Sequence, residues 1–221
     1  MRDALTTAQT IAILLCVLAA TVVFGGVTPD LAAPAFAFGF MAVLLWLGKL
    51  VMAPPCRWKA SFLHWPVAAF MVYTLVRYFT SPLEYEARFE LFQVFLYGLV
   101  FFTVATNLGR PKDRAIFWIV LAGFAVAQSA YAFWQFARSQ DLVLHLSRPY
   151  QYHGRGGGTF ICPNHLAGFL EMVLGLLLAR TTLPREPTTP LQTAVLQRIL
   201  VLFATVATLV GILVTYSRGG W

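Results

Sequence analysis

Two short stretches of the chain carry the side chains able to do chemistry. The first, "GGGTFICPNHLAGFLEMVLG" (156–175), places the amide of Asn164, the imidazole of His165 and the carboxylate of Glu171 close together. The second, "TYSRGGW" (215–221), places the Ser217 hydroxyl beside the Arg218 guanidinium. A guanidinium is permanently charged and forks onto phosphate oxygens; the competing reading is an arginine snorkelling to lipid headgroups. A carboxylate can orient a basic partner or a hydroxyl, and a lone histidine serves as a hydrogen-bonding group or a base. His145, His153 and His165 lack metal-ligand spacing, so no metal site or cofactor is expected.

The glycine run "GRGGGTF" lacks the lysine of a nucleotide-binding loop and does not follow a buried strand, which removes that reading. Two readings remain. Its backbone N–H groups and the helix start at Pro163, capped by Asn164 or Cys162, would attract an anion, or the glycines form a flexible re-entry turn.

These residues need helices to hold them. Asn164, Gly168, Glu171 and Gly175 are spaced +4, +3 and +4, which puts them on one stripe of a helix. Small residues on that stripe predict close helix packing. Glu171 is expected to face a protein interior or a water-filled cavity, because facing lipid costs at least ~2.5 kcal/mol. His165 lies off the stripe.

The composition says what kind of helices these are. Of 221 residues, 59% are hydrophobic and 11% charged, too little charge to cover a soluble core. Uncharged runs separate Asp3 from Asp30, Asp30 from Lys49, Lys59 from Arg77, Glu90 from Arg110, Arg114 from Arg138 and Arg198 from Arg218. A further run after Arg155 is interrupted only by Glu171. Each suits a membrane-crossing helix of about 20 residues. The expected fold is an all-α, polytopic transmembrane bundle of about seven spans: five in 1–137, then an outer loop and two more in 138–221. The first span is read as uncleaved.

The net charge of +7 does not point to nucleic acid. Ten of the sixteen basic residues (Arg2, Lys49, Arg57, Lys59, Arg110, Lys112, Arg114, Arg180, Arg185 and Arg198) fall at the N-terminus and in every second connection. The positive-inside rule then makes the N-terminus cytoplasmic. Cys16, Cys56 and Cys162 are scattered over this map and form no disulfide framework. The longest polar connection, 139–161, lies outside. In it "DLVLHL" suits either a short strand or an amphipathic interfacial segment, and "RPYQYHGR" adds tyrosines at headgroup level. In the inner loop "TTLPREPTTPLQTAVLQR" the prolines delay the last helix, which is expected to start near Thr193.

"GTFICPNHLAGFLEMVLGLLLA", followed after one loop and one span by "TYSRGGW", resembles the O-antigen ligase and polymerase superfamily of bacterial inner-membrane proteins. The likeness covers about residues 140–221; the earlier spans agree only in hydropathy. It implies a metal-independent, cofactor-free glycosyltransferase of lipopolysaccharide or polysaccharide biosynthesis. Such an enzyme moves a glycan from undecaprenyl pyrophosphate to a lipid, polysaccharide or protein acceptor at the periplasmic face. Arg218 would match the arginine that holds the pyrophosphate, and Asn164 and His165 the motif that precedes it; Ser217 and Glu171 join them as substrate-binding candidates from their placement alone. The family's general base is a histidine downstream of Ser-Arg-Gly-Gly, past Trp221. The chain is therefore expected to be the N-terminal part of a longer enzyme, without a catalytic base and inactive alone. Two other readings stand beside it: a transporter that uses Glu171 as its coupling carboxylate, and a non-catalytic partner in polysaccharide export.

Overall fold

A computed structural model of the chain describes residues 2–22, 29–52, 61–107, 109–182 and 190–218. Cys56, Arg57, Lys59, Arg185, Gly219, Gly220 and Trp221 lie outside the described residues. The uncharged runs become seven α-helices among the described residues: α1 (Arg2–Val22), α2 (Pro29–Met52), α3 (His64–Thr80), α4 (Glu84–Asn107), α5 (Pro111–Ala137), α6 (Pro163–Thr182) and α7 (Leu191–Val214). Proline opens α2, α5 and α6, where its missing N–H costs nothing. Pro190 precedes α7, which starts at Leu191, two residues ahead of the expected Thr193.

Six of the helices are long and apolar enough to cross a membrane, which makes the chain a multi-pass membrane protein. The exception is α3. Its 17 residues rise about 26 Å at about 1.5 Å per residue, a little short of a hydrocarbon core of about 30 Å.

The helices are distributed over two compact units. One comprises Met1–Leu18 and Ala33–Ile116; the other comprises Ala19–Ala32 and Phe117–Trp221. In the first, Arg110 joins the starts of α1 and α5. Its guanidinium donates to both carboxylate oxygens of Asp113, which is 1% exposed. It also donates to Asp3 Oδ1 at 2.8 Å and Thr7 Oγ1 at 3.0 Å. One basic residue thus neutralises a buried acid at the first turn of α5, where the helix dipole also favours a negative charge. Elsewhere in this unit α3 packs on α4, and a Cβ at Gly98 would overlap the Met71 sulfur.

In the second unit α6 buries Leu166, Leu170, Val173 and Leu177. These are spaced +4, +3 and +4, one apolar stripe turned toward the core. The stripe of Asn164, Gly168, Glu171 and Gly175 is offset by two residues, or roughly 200° around the helix. It therefore points away from the packed face. A Cβ at Gly168 or Gly175 would meet nothing within 4 Å, so among the described residues the expected close packing along that stripe is not seen. The close approach is made by α7 instead: a Cβ at Gly211 would overlap Ser129 on α5 and come within 2.9 Å of Leu170. Phe169 adds edge and tilted contacts with Phe124 and Phe160 at 6.0 and 6.1 Å.

The segment between α5 and α6 shows the short strand expected as one reading of "DLVLHL". β1 (Leu142–Val143) and β2 (Leu146–Ser147) pair antiparallel, Leu142 opposite Ser147 and Val143 opposite Leu146. A short 3₁₀ turn, Tyr150–Tyr152, follows.

The two glycines differ in what surrounds them, and that difference is testable. Gly211→Val should destabilise the protein by about 1–3 kcal/mol through overpacking of rigid neighbours. Gly98→Ala should cost much less, because the flexible Met71 side chain can move aside. Thermal unfolding of both variants in detergent micelles checks the order; equal losses would contradict it.

Candidate functional site

The site is built on two glutamines of α5. Gln128 and Gln135 are seven residues apart and share a helix face. Gln135, 1% exposed, uses both ends of its amide. Its Nε2 donates to the carbonyls of Leu142 and Gly158, both at 3.0 Å. Its Oε1 accepts from Arg148 Nη2 at 2.6 Å and from the Gly157 N–H at 3.2 Å. Gln128 binds Thr159 twice, from Nε2 to Oγ1 at 2.7 Å and at Oε1 from the N–H at 3.0 Å. The Thr159 hydroxyl in turn donates to the Thr21 carbonyl at the end of α1, 2.7 Å away.

This network explains the glycines and corrects the expectation of an open, N–H-rich loop. The N–H groups of Gly157 and Thr159 are taken by the glutamines, and that of Gly156 by the Val214 carbonyl at 2.8 Å. A Cβ at Gly156 would come within 2.6 Å of the Ala132 carbonyl oxygen. Gly158 has φ +56° and lies against Gln128, so it needs both left-handed backbone and no side chain. The run is a tightly seated turn, and the anion reading loses its backbone donors there.

Arg148 is the buried centre of the loop, 4% exposed. Besides Gln135 it donates to the Arg155 carbonyl at 2.5 Å, while its Nε has no partner. Burial pushes its pKa down, the mark of a cation held away from water. By fixing the Arg155 carbonyl, Arg148 sets the next arginine in place. Arg155 Nε donates to the Thr215 carbonyl at 2.7 Å, and its Nη2 to Asn164 Oδ1 at 2.6 Å. One side chain thereby ties the end of α7 to the start of α6.

Asn164 is thus occupied as the acceptor for Arg155 rather than as a helix cap. Cys162 contributes its backbone carbonyl to the His165 N–H at 3.1 Å. The Cys162 thiol beside the Tyr152 hydroxyl pushes the pKa of that hydroxyl up.

Beside this tie lies a cavity of about 530 Å³, lined by Arg155, Asn164, Gly168, Glu171, Tyr216, Ser217 and Arg218. Four of the five residues singled out from the sequence (Asn164, Glu171, Ser217 and Arg218) converge there. His165 is exposed and is not part of the lining. Glu171 is exposed on the cavity side of α6. The chain turns sharply to form the floor: Tyr216 has φ 49°, its ring lies 5.7 Å from Phe136, and the Ser217 N–H donates to Thr215 Oγ1 at 3.2 Å.

The lining carries two guanidiniums against one carboxylate, with amide and hydroxyl groups between them. Such a set suits an anion with several oxygens. Among the described residues no three metal-ligating side chains converge. Arg155 was missed as a site residue and counted only as an outer-loop charge. Gln128 and Gln135 were passed over, although glutamines at i and i+7 inside an apolar span are themselves a sign of an inward-facing polar partner.

Gln135→Leu should release the loop, since it strands a buried guanidinium and two carbonyls at a cost of about 1–3 kcal/mol for each group left unsatisfied. The expected result is a lower unfolding temperature together with new tryptic cleavage after Arg155. A variant as resistant as the wild type would show that the loop does not depend on this glutamine. Compared with models of known protein families, with curated proteins and with solved structures, the chain has no match.

Proposed function

We propose that the chain forms part of a bacterial inner-membrane glycosyltransferase of the O-antigen ligase and polymerase kind. In this reading the cavity holds the pyrophosphate of an undecaprenyl-linked glycan. The observation that carries it is the convergence of Arg155 and Arg218 with Asn164 and Ser217 on one cavity. Arg155 is already oriented by Thr215 and Asn164, so little ordering is needed when a ligand arrives. Arg218 has no hydrogen bond or ion pair among the described residues, and its five donors remain available. Positive charge placed there stabilises a leaving diphosphate, the electrostatic part of glycosyl transfer.

The reading includes seven crossings with a cytoplasmic N-terminus and the cavity at the periplasmic end. The six long apolar helices support it, and α3 is counted as the seventh crossing although it is short. A tilt or a thinned bilayer accommodates a span of this length at modest cost. The basic residues at the α5 start supply the positive-inside end.

The test is binding by the full chain in nanodiscs, with undecaprenyl-pyrophosphate-linked N-acetylglucosamine as the probe. Wild type should bind saturably. Arg218→Ala should weaken binding about tenfold or more, the value of a lost charge-assisted hydrogen bond, with its unfolding temperature unchanged. Equal binding by Arg218→Ala would reduce this arginine to a headgroup anchor. That result would return the choice to the transporter and assembly-partner readings.

A further inference from the structure

The loop after α5 carries apolar surface that a water-bathed segment has no use for. Period-two alternation in the hairpin turns Val143 inward, 1% exposed, and leaves Leu142 and Leu144 outward at 43% and 53%. Leu146 and, just beyond the hairpin, Tyr150 are also exposed. At the tip, Leu144 has φ 54°, a position where asparagine or glycine is the usual choice. A branched apolar residue is kept there despite the strain.

The hairpin does not stand free of the bundle. The Leu144 N–H donates to the Tyr131 hydroxyl at 3.0 Å, and Tyr131 lies six residues before the last residue of α5. Its ring stacks on Trp134, with centroids 5.9 Å apart and planes 18° apart. Trp134 and its neighbour Phe133 are about half exposed on a membrane-crossing helix. The leucines thus continue the apolar surface of α5 at the level where tryptophan and tyrosine meet headgroups. Within the segment Arg148 is buried and the Leu142 carbonyl is held by Gln135, while His145 and Ser147 are exposed beside the leucines. Backbone satisfied in this way tolerates a low-polarity setting.

We propose that the hairpin is a bilayer anchor. Leu142, Leu144 and Leu146 lie in the headgroup–acyl boundary of the leaflet at the end of α5, beside Trp134. The inference is independent of what the cavity binds.

The test uses the full chain in vesicles of phosphatidylethanolamine and phosphatidylglycerol, with Cys16, Cys56 and Cys162 replaced by serine. Leu144→Cys, and separately Leu146→Cys, carries an environment-sensitive nitrobenzoxadiazole label. Insertion about 5–10 Å into the boundary should let a shallow doxyl-labelled lipid remove roughly half of the emission, and should protect the label from aqueous iodide. Quenching by iodide but not by doxyl lipid at both positions would overturn the proposal. Protection from both quenchers would overturn it as well, because protein rather than lipid would then cover the hairpin.

Discussion

Gln135 is the constraint on which the segment between α5 and α6 depends. A glutamine amide offers two donors and two acceptor positions, and here all are used on a single loop. The order runs outward from it. Gln135 holds Arg148, Arg148 holds the Arg155 carbonyl, and Arg155 ties Thr215 to Asn164. Each link leaves the next with fewer conformations. The cavity beside the last link is consequently a product of hydrogen bonds made more than a turn away from it. A low-dielectric surrounding strengthens each bond and raises the cost of leaving any of them unmade.

The other compact unit is held by different means. Arg110 meets two acids and a threonine at the starts of α1 and α5, so charge pairing does there what amide geometry does at the loop. Elsewhere, ordinary apolar packing and a few close approaches suffice. Water is plentiful at both ends of a membrane protein, and charged partners there need little desolvation. A buried cation such as Arg148 is the expensive exception: two oxygen acceptors hold its terminal nitrogens while its Nε has no partner.

Much of this architecture was legible in the residues. Uncharged runs located the helices because lipid excludes charge, and the +4, +3, +4 spacing located the face of α6 that carries Asn164 and Glu171. That Ser217 and Arg218 would come to the same cavity was not contained in periodicity; it rests on the turn at Tyr216. The glycine run was misjudged in one respect. Its N–H groups looked available because their partners, Gln128, Gln135 and Val214, lie twenty to sixty residues away in sequence. Gly168 and Gly175 looked like packing positions, but local spacing cannot say which face of a helix its neighbours will occupy. His165 shares the motif with Asn164 yet projects elsewhere, since adjacent helical residues differ by about 100°.

The bond from Thr159 to the Thr21 carbonyl spans 138 positions of sequence. On a ribosome, α1 reaches the membrane long before that partner exists. The contact between the last turn of α1 and the segment after α5 then waits through the synthesis of four more helices. Closure of this end is therefore a late event of biogenesis, set by emergence of the segment after α5. Arrest or truncation ahead of it would leave inserted helices with an unfinished rim.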